Sequence, residues 1–491
     1  MRGSLSSDRG TAILTNPGTV NKTRPPLYNQ MIMAQLASQA NVAASRNRFP
    51  PGPKGLPVFG MALNIRRDPL EGIRQIAREY GDIVRFHVMT QERILLNHPD
   101  LINQVLVIQH SKFHKSELTR RITVRMLGQG LLISEGEFWR RQRRLAQPAF
   151  HRSRINDYAA TMLEIAQARV SGWRDGEARN IGQEMTSLTL DIAVRTLFGT
   201  TLPEEARGVG QAMTFLMRYS LRRQRLPFRI PETWPTPNNR RANRELEFID
   251  SLVYRIISER RAAGNSNHHN DLLALLMGAM DEDGSQMTPQ QLHDETMTLF
   301  LAGHETTAQM LSWTWYALSQ NPQVEARLHE ELDGVLGARP MEPADLQRLP
   351  YLQAVMNEVL RLFPPAYIMA REVVEPCEVG GYTLRPKSTI IFSQWVMQRD
   401  PRFFDDPDTF RPERWLDGLM DRLPAGAYFP FGGGPRRCIG EGFALLEAAI
   451  VIATLARRFR FRLAPGAVVI PEPLVTLRPR HGIPMTLHAQ N

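Results

Sequence analysis

Apolar residues recur at helical spacing over most of this chain, with a few short alternating stretches between. In DPLEGIRQIAREYG, Leu70, Ile73, Ile76, Ala77 and Tyr80 fall on one face of a helix that begins near Asp68. Val84, Phe86 and Val88 alternate with polar neighbours, which predicts a strand. Helical periods recur through 136–172, 183–198, 242–279 and 288–335. The stretch EVGGYTLRPKSTIIF (Glu378 to Phe392) reads as extended, and its Gly-Gly pair marks the tight turn of a hairpin. A Pro/Asp-rich meander, QRDPRFFDDPDTFRPERW, separates that hairpin from a glycine-rich loop near the C-terminus. No internal repeat is visible, and no linker after residue 60. The expected fold class is mainly α with a minor β component, in one large domain.

The first 48 residues break this pattern. They are rich in Ser, Thr, Asn, Gln and Ala, and Asp8 is their only acidic residue. That composition predicts a flexible N-terminal extension over 1–48, with an organelle-targeting leader as the competing reading. FPPGPKGLPVFG (Phe49 to Gly60) cannot be helical, and the folded domain, 49–491, is expected to begin there.

Composition narrows the class. The 491 residues carry a formal net charge of +10, and basic residues are not interleaved with aromatics on any recognisable module, so nucleic acid is not an expected partner. A basic docking face for an acidic protein is the sharper reading of the charge. No apolar run is long enough to cross a bilayer, so no integral membrane segment is expected. Two cysteines exclude a disulfide framework and fit a reducing, cytoplasmic setting.

One of those cysteines is oddly placed. FPFGGGPRRCIGEGFALLEA sets three glycines, a proline and two arginines directly before Cys438, and a helix pattern starts directly after it. A phosphate-cradling loop would need Lys-Ser/Thr after the glycines, or a G-x-G-x-x-G spacing, and has neither. A buried structural cysteine explains the glycines but not the arginines. The third reading is a metal thiolate. At a helix N-terminus, unpaired amides and the dipole favour an anion and lower a thiol's pKa. Glycines at 432–434 and 440 would admit a flat, bulky group. With no second Cys or His at zinc spacing nearby, the remaining ligands must come from elsewhere, as they do in a porphyrin whose carboxylates would employ the arginines. Thiolate-ligated haem is the reading that accounts for all of these features.

FGGGPRRCIG, Phe431 to Gly440, resembles the haem-binding signature F-x-x-G-x-R-x-C-x-G of the cytochrome P450 superfamily at every defined position. Further motifs follow in the family's order. NEVLRLFPP resembles E-x-x-R through Glu358 and Arg361, and FRPERW supplies Arg414. The resemblance implies a structural network of these three behind the haem, with no catalytic role. AGHETT (Ala302 to Thr307) resembles the oxygen-binding motif, which implies Glu305 and Thr306 as the acid–alcohol pair that relays protons, and Ala302 and Gly303 as residues facing the porphyrin. A Thr306 hydroxyl bonded to the Ala302 carbonyl would open the helix locally. Trp139 and Arg143 in GEFWRRQRRL resemble the family's propionate-contacting W-x-x-x-R, and Arg371 and Arg436 lie where the family places further propionate partners. The remaining arginines of that helix, Arg140, Arg141 and Arg144, read by default as a solvated face, part of which the resemblance implies as an electron donor's docking surface. His304 occupies a variable position of its motif, and Cys377, with no basic neighbourhood, reads as a bystander.

The resemblance, from about Phe49 to the C-terminus, implies a soluble, bacterial-like monooxygenase. Haem b would be ligated by Cys438 and contacted by Arg436, Trp139, Arg143, Arg371, Phe431, Ala302 and Gly303. Electrons from NAD(P)H would arrive through a ferredoxin with its reductase, or through a diflavin reductase, to activate O2 and hydroxylate or epoxidise a hydrophobic small molecule. The chain has no flavin or nicotinamide fingerprint of its own. The rivals are a haem-thiolate peroxygenase or isomerase, which can dispense with the Glu305–Thr306 pair, and a non-catalytic haem sensor, which has no use for it. The expected pocket walls are 113–131, 203–240, Phe300 and Leu301, Ala366 to Met369, and Leu474 to Leu477. They are largely apolar, which suits a fatty acid, terpenoid, steroid or polyketide. The basic run YSLRRQRLPFR (Tyr219 to Arg229) reads either as a contact for a carboxylated substrate or as a solvated loop.

Overall fold

Local sequence rules set where the helices begin and end. Asp68 caps the Pro69–Tyr80 helix by accepting from the amides of Leu70 and Glu71, and Leu70, Ile73, Ile76 and Ala77 form its buried face. Thr288 and Gln291 form a capping box at the start of Pro289–Gln320, with Pro289 at the first helical position. The structure is a computed structural model that describes residues 49–56, 59–89, 91–201, 206–225, 231–263, 271–281 and 284–490. The 1–48 stretch and positions 226–229 of the basic run lie outside the described residues.

Prolines divide two of the long helical periods. Pro148 lies in a 3-10 turn between the helices Gly136–Ala146 and Arg152–Ser171. Pro322 opens a new helix, Pro322–Leu336, directly after the long one. The period at 242–279 resolves into Pro237–Ala263 and Leu272–Gly278. The predicted strand is Ile83–Val88, paired antiparallel with Gln91–Leu96. The expected hairpin is shorter than the pattern suggested. Cys377–Val379 pairs with Tyr382–Leu384 across Gly380 and Gly381, both at positive φ. Thr389–Phe392 leaves to join the main sheet, between Gln91–Leu96 and Met369–Val373. That five-stranded sheet ends on Phe113–Lys115, with Lys115 opposite Arg371.

The long helix Pro289–Gln320 is buried nearly all round, packed against Ile181–Phe198, Pro350–Leu362 and Glu441–Ala456. Its burial is relieved near the middle: Ala302 is exposed and Leu301, Gly303 and Thr306 are half-buried, between the buried stretches 292–300 and 307–315. An accessible alanine at the middle of a core helix marks a space inside the protein, and Phe49–Asn491 form one compact unit around it.

Candidate active site

The cysteine loop is held by backbone bonds before any side chain acts. The Gly432 amide donates to the Phe429 carbonyl, the Arg437 amide to Gly434, and the Cys438 amide back to Phe431, at 2.9, 3.0 and 2.9 Å. Gly434 has φ +63°, and a Cβ there would lie 2.0 Å from the Leu106 carbonyl oxygen, so only glycine fits. That requirement corrects one expectation: the crowding at Gly434 comes from the protein's own backbone. A Cβ on Gly440 would make only ordinary contact with Phe150, at 3.7 Å.

Cys438 is exposed, yet its surroundings desolvate the thiol strongly enough to push its pKa up. Accessible but desolvated describes a group on the wall of an internal space. The Gly440 amide donates to the sulfur, and Arg143 and Arg437 lower its pKa further, but burial outweighs them. The depressed thiol pKa expected from the helix N-terminus is therefore not found. An adjacent metal cation would supply the missing stabilisation, since a coordinating thiol is deprotonated outright.

The loop's start is clamped by a second layer. Gln398 accepts from the Phe429 amide and donates to the carbonyls of Leu360 and Arg361. Those residues belong to the Pro350–Leu362 helix, where Arg361 spends all five N–H donors: two on Glu358 and three on the carbonyls of Gln398, Pro407 and Thr409. Glu358 also accepts from Arg414 Nε, Trp415 Nε1 and the Arg411 amide, at 3.0, 2.8 and 2.9 Å. The three-residue network expected from sequence is present, enlarged by Trp415 and a ring of meander carbonyls.

Near Arg436 the charge balance is different. Arg436 lies over the Trp139 ring at 3.9 Å, donates to the Ser134 carbonyl at 2.8 Å and pairs with Glu135. Arg371 is buried, donates to its neighbour's carbonyl, and among the described residues its second terminal nitrogen has no partner. Its pKa is lowered to about 10 by burial and then by Arg436. Lys115, on the facing strand, is lowered further by burial and by both arginines. Three cations thus meet a single carboxylate, Glu135, which also accepts from the Lys115 amide at 2.6 Å. Such an excess is costly unless an anion arrives. A group bearing two carboxylates fits it, and haem is such a group. Arg143 donates to the Arg437 carbonyl at 3.0 Å, beside the thiol. Phe431 is half-buried at the loop, where its carbonyl accepts from Cys438.

On the long helix, Thr306 Oγ1 donates to the Ala302 carbonyl at 3.0 Å, the bond the sequence predicts. The helix nevertheless runs unbroken from Pro289 to Gln320, so this bond does not open it. Glu305 Oε1 accepts from Thr476 Oγ1 at 2.8 Å and from Gln309 Nε2 at 3.2 Å. Gly303 is half-buried next to Ala302, and a Cβ there would lie 3.2 Å from Leu197 Cδ1 on the neighbouring helix. Phe300, expected near the pocket, is not one of its walls, since it is fully buried against Phe198 and His304. His304 is itself a core residue, with Nδ1 bonded to the Phe300 carbonyl and its pKa lowered by burial. Cys377 is buried on its strand.

Sequence reading gave no sign of Glu135 and Gln398, and placed Lys115 and Thr476 only within expected pocket walls, without these roles. Each meets the site through a contact distant in the chain, for which a single sequence carries no signal.

The cytochrome P450 family profile matches residues 50–483. The chain belongs to the cytochrome P450 family. Cyclooctatin synthase of Streptomyces melanosporofaciens is 38% identical over 87% of this chain and 92% of its own length. Cyclooctat-9-en-7-ol 5-monooxygenase of the same organism is 35% identical, covering 85% of this chain and 90% of its own. Pentalenene oxygenase of Streptomyces avermitilis is 33% identical, covering 87% and 94%. This P450 is a haem-thiolate monooxygenase, and the P450 family's haem fits the thiol and the cation cluster described above. Like other P450 monooxygenases it requires a redox partner and a hydrophobic substrate. No helix among the described residues is long and apolar enough to cross a membrane.

Proposed function

We propose that this P450 hydroxylates a terpenoid-sized, hydrocarbon-rich molecule in the cytoplasm, with haem b ligated by Cys438 and electrons passed from NAD(P)H through a separate ferredoxin. The observation that carries the site assignment is the under-neutralised cluster of buried Arg371 with half-buried Lys115 and Arg436, beside an accessible, desolvated thiol. The relatives' names support the substrate class, as do the largely apolar segments expected to wall the pocket.

Bound there, haem supplies the iron that activates dioxygen, and thiolate donation favours O–O cleavage. The chain's own residues do the rest. Cys438 gives up its proton on ligation, and the Gly440 amide stabilises the resulting negative charge. Arg371, Arg436 and Lys115 receive the propionates, with Trp139 holding the Arg436 guanidinium flat. Thr306 donates its hydroxyl proton to the Ala302 carbonyl, which leaves its oxygen lone pairs free to accept from a water in the space beside Ala302. Glu305, steadied by Thr476 and Gln309, exchanges protons with that water and with solvent.

A donor would dock on the groove lined by Trp139, Arg140, Arg143, His151 and Arg154. Its charge is smaller than the sequence implies, because Arg141 and Arg144 both pair with Asp281, and Arg140 with Glu137. The substrate assignment is tested by screening terpenoids, fatty acids, steroids and polyketides for the spin-state shift caused by displacing iron-bound water. Terpenoids should give saturable shifts at the lowest concentrations. Shifts confined to fatty acids would overturn the substrate class while leaving the haem assignment intact.

A further inference from the structure

A cavity of about 1290 Å³ lies beside the site just described, and of the residues assigned to the haem or to proton handling only Gln309, which steadies Glu305, lines it. Its walls come from the Ile181–Phe198 and Ala206–Arg225 helices and from the chain at 478–482. Its buried floor includes Gln309, and it opens to solvent at the exposed Arg222, Arg480 and His481.

The lining is arginine-rich. Of its eight arginines, five are ion-paired. Arg222, Arg478 and Arg480 have no carboxylate partner among the described residues, and Arg478 bonds only the Thr214 hydroxyl. Two of the paired arginines are themselves incompletely satisfied, with Arg179 Nε and Arg218 Nε buried without an acceptor. Glu184 is the single acidic residue in the lining. The aromatic surface is already taken: Phe215 and Tyr219 stack on each other, under Arg241 at 4.2 Å and Arg223 at 5.6 Å. What remains unpartnered is guanidinium, whose planar fork of N–H donors matches phosphoryl oxygens.

We propose that this cavity binds a phosphorylated ligand whose phosphoryl oxygens are taken by Arg222, Arg478 and Arg480. A lone carboxylate would neutralise one of the three cations, whereas a phosphate monoester or diphosphate carries the two or more charges that the cluster lacks. The site adjoins the proton-handling pair without including it, since Gln309 at the floor is the residue that donates to Glu305. The basic run at 219–229, left open by the sequence between a substrate contact and a solvated loop, contributes Arg222 and Arg223 to this cavity.

The test is calorimetric titration of the haem-loaded full chain with inorganic diphosphate at constant ionic strength set by chloride. In parallel, the protein is sedimented with phosphatidylcholine vesicles with and without phosphatidic acid. The expected result is saturable binding of one diphosphate per chain, weakened at least tenfold in the Arg478→Gln/Arg480→Gln double variant and in Arg222→Gln. The ferrous–CO spectrum of both variants should match that of the parent, showing that the haem site is intact. Soluble diphosphate binding assigns a small molecule. Sedimentation that depends on phosphatidic acid and is lost in the variants, without diphosphate binding, assigns a lipid headgroup. No binding in either arm, or binding unchanged in the variants, overturns the proposal.

Discussion

The cysteine loop is gripped near its two ends by clusters of buried charge, and the two differ in how completely they are satisfied. Around Glu358, five hydrogen bonds converge on one carboxylate, and Arg361 has no donor left over. Around Glu135, three basic side chains share one carboxylate, and an Arg371 nitrogen has no acceptor among the described residues. The Glu358 cluster is also the more deeply buried, since Glu135 and Arg436 are only half-buried. Their hydrogen-bond ledgers separate them further: the complete one is scaffold, while the incomplete one is built for a partner that brings negative charge.

The comparison breaks if the complete cluster can be cut without cost. Glu358→Gln leaves two buried guanidiniums short of their counter-charge and should destabilise the protein by about 3–5 kcal/mol, with loss of retained haem. Denaturant unfolding measures this, and wild-type stability in that variant would remove the scaffold reading. Cutting the incomplete cluster should act differently. Arg371→Met is expected to leave the haem-free protein at least as stable as the parent, because it removes an uncompensated buried cation. Haem affinity should fall by about 10- to 100-fold, from the loss of one charge-assisted bond worth about 1.5–3 kcal/mol. Haem titration of the apoprotein, paired with its thermal unfolding, reads both halves.

Smaller effects sharpen the contrast. Glu305 is a third buried carboxylate, satisfied by the neutral donors Thr476 and Gln309. Thr476→Val should release it from position and raise peroxide release per NAD(P)H consumed several-fold, while leaving the CO spectrum unchanged. The least effect is expected from His293, paired with Asp294 and with a partly exposed Asp250. Burial lowers its pKa, but the two carboxylates raise it more, to about 9. A histidine raised above its unfolded value stabilises the fold fully below about pH 6.5, and that contribution is lost as pH rises through 9. Solvent screening at Asp250 limits it to about 1 kcal/mol. Unfolding midpoints between pH 6 and 10 should therefore fall less steeply in His293→Gln than in the parent.

Much of this architecture could be read before any coordinates. The amphipathic face at 70–80, the Gly-Gly hairpin, the Glu358–Arg361–Arg414 network and the Thr306–Ala302 bond all depend on local spacing or on motifs of strong pattern. Helix ends were less legible, because one proline inside a long apolar period, as at Pro148 or Pro322, decides the break. The partners of Lys115 and Thr476 were not legible. Lys115 meets Arg371 only through the register of two strands far apart in the chain, and Thr476 reaches Glu305 across 171 positions. Glycine in a sequence signals close approach without saying what approaches, as at Gly303 and Gly434. In this fold the neighbours are Leu197 and the Leu106 carbonyl.

The claim beneath all of this is that the Cys438 sulfur is the iron's protein ligand, and the ferrous–CO difference spectrum tests it directly. The purified parent should show the red-shifted Soret band of a thiolate-bound haem, and Cys438→Ala should lose that band even when reconstituted with haem. A parent without the red-shifted band, or a Cys438→Ala protein that keeps it, would contradict the account.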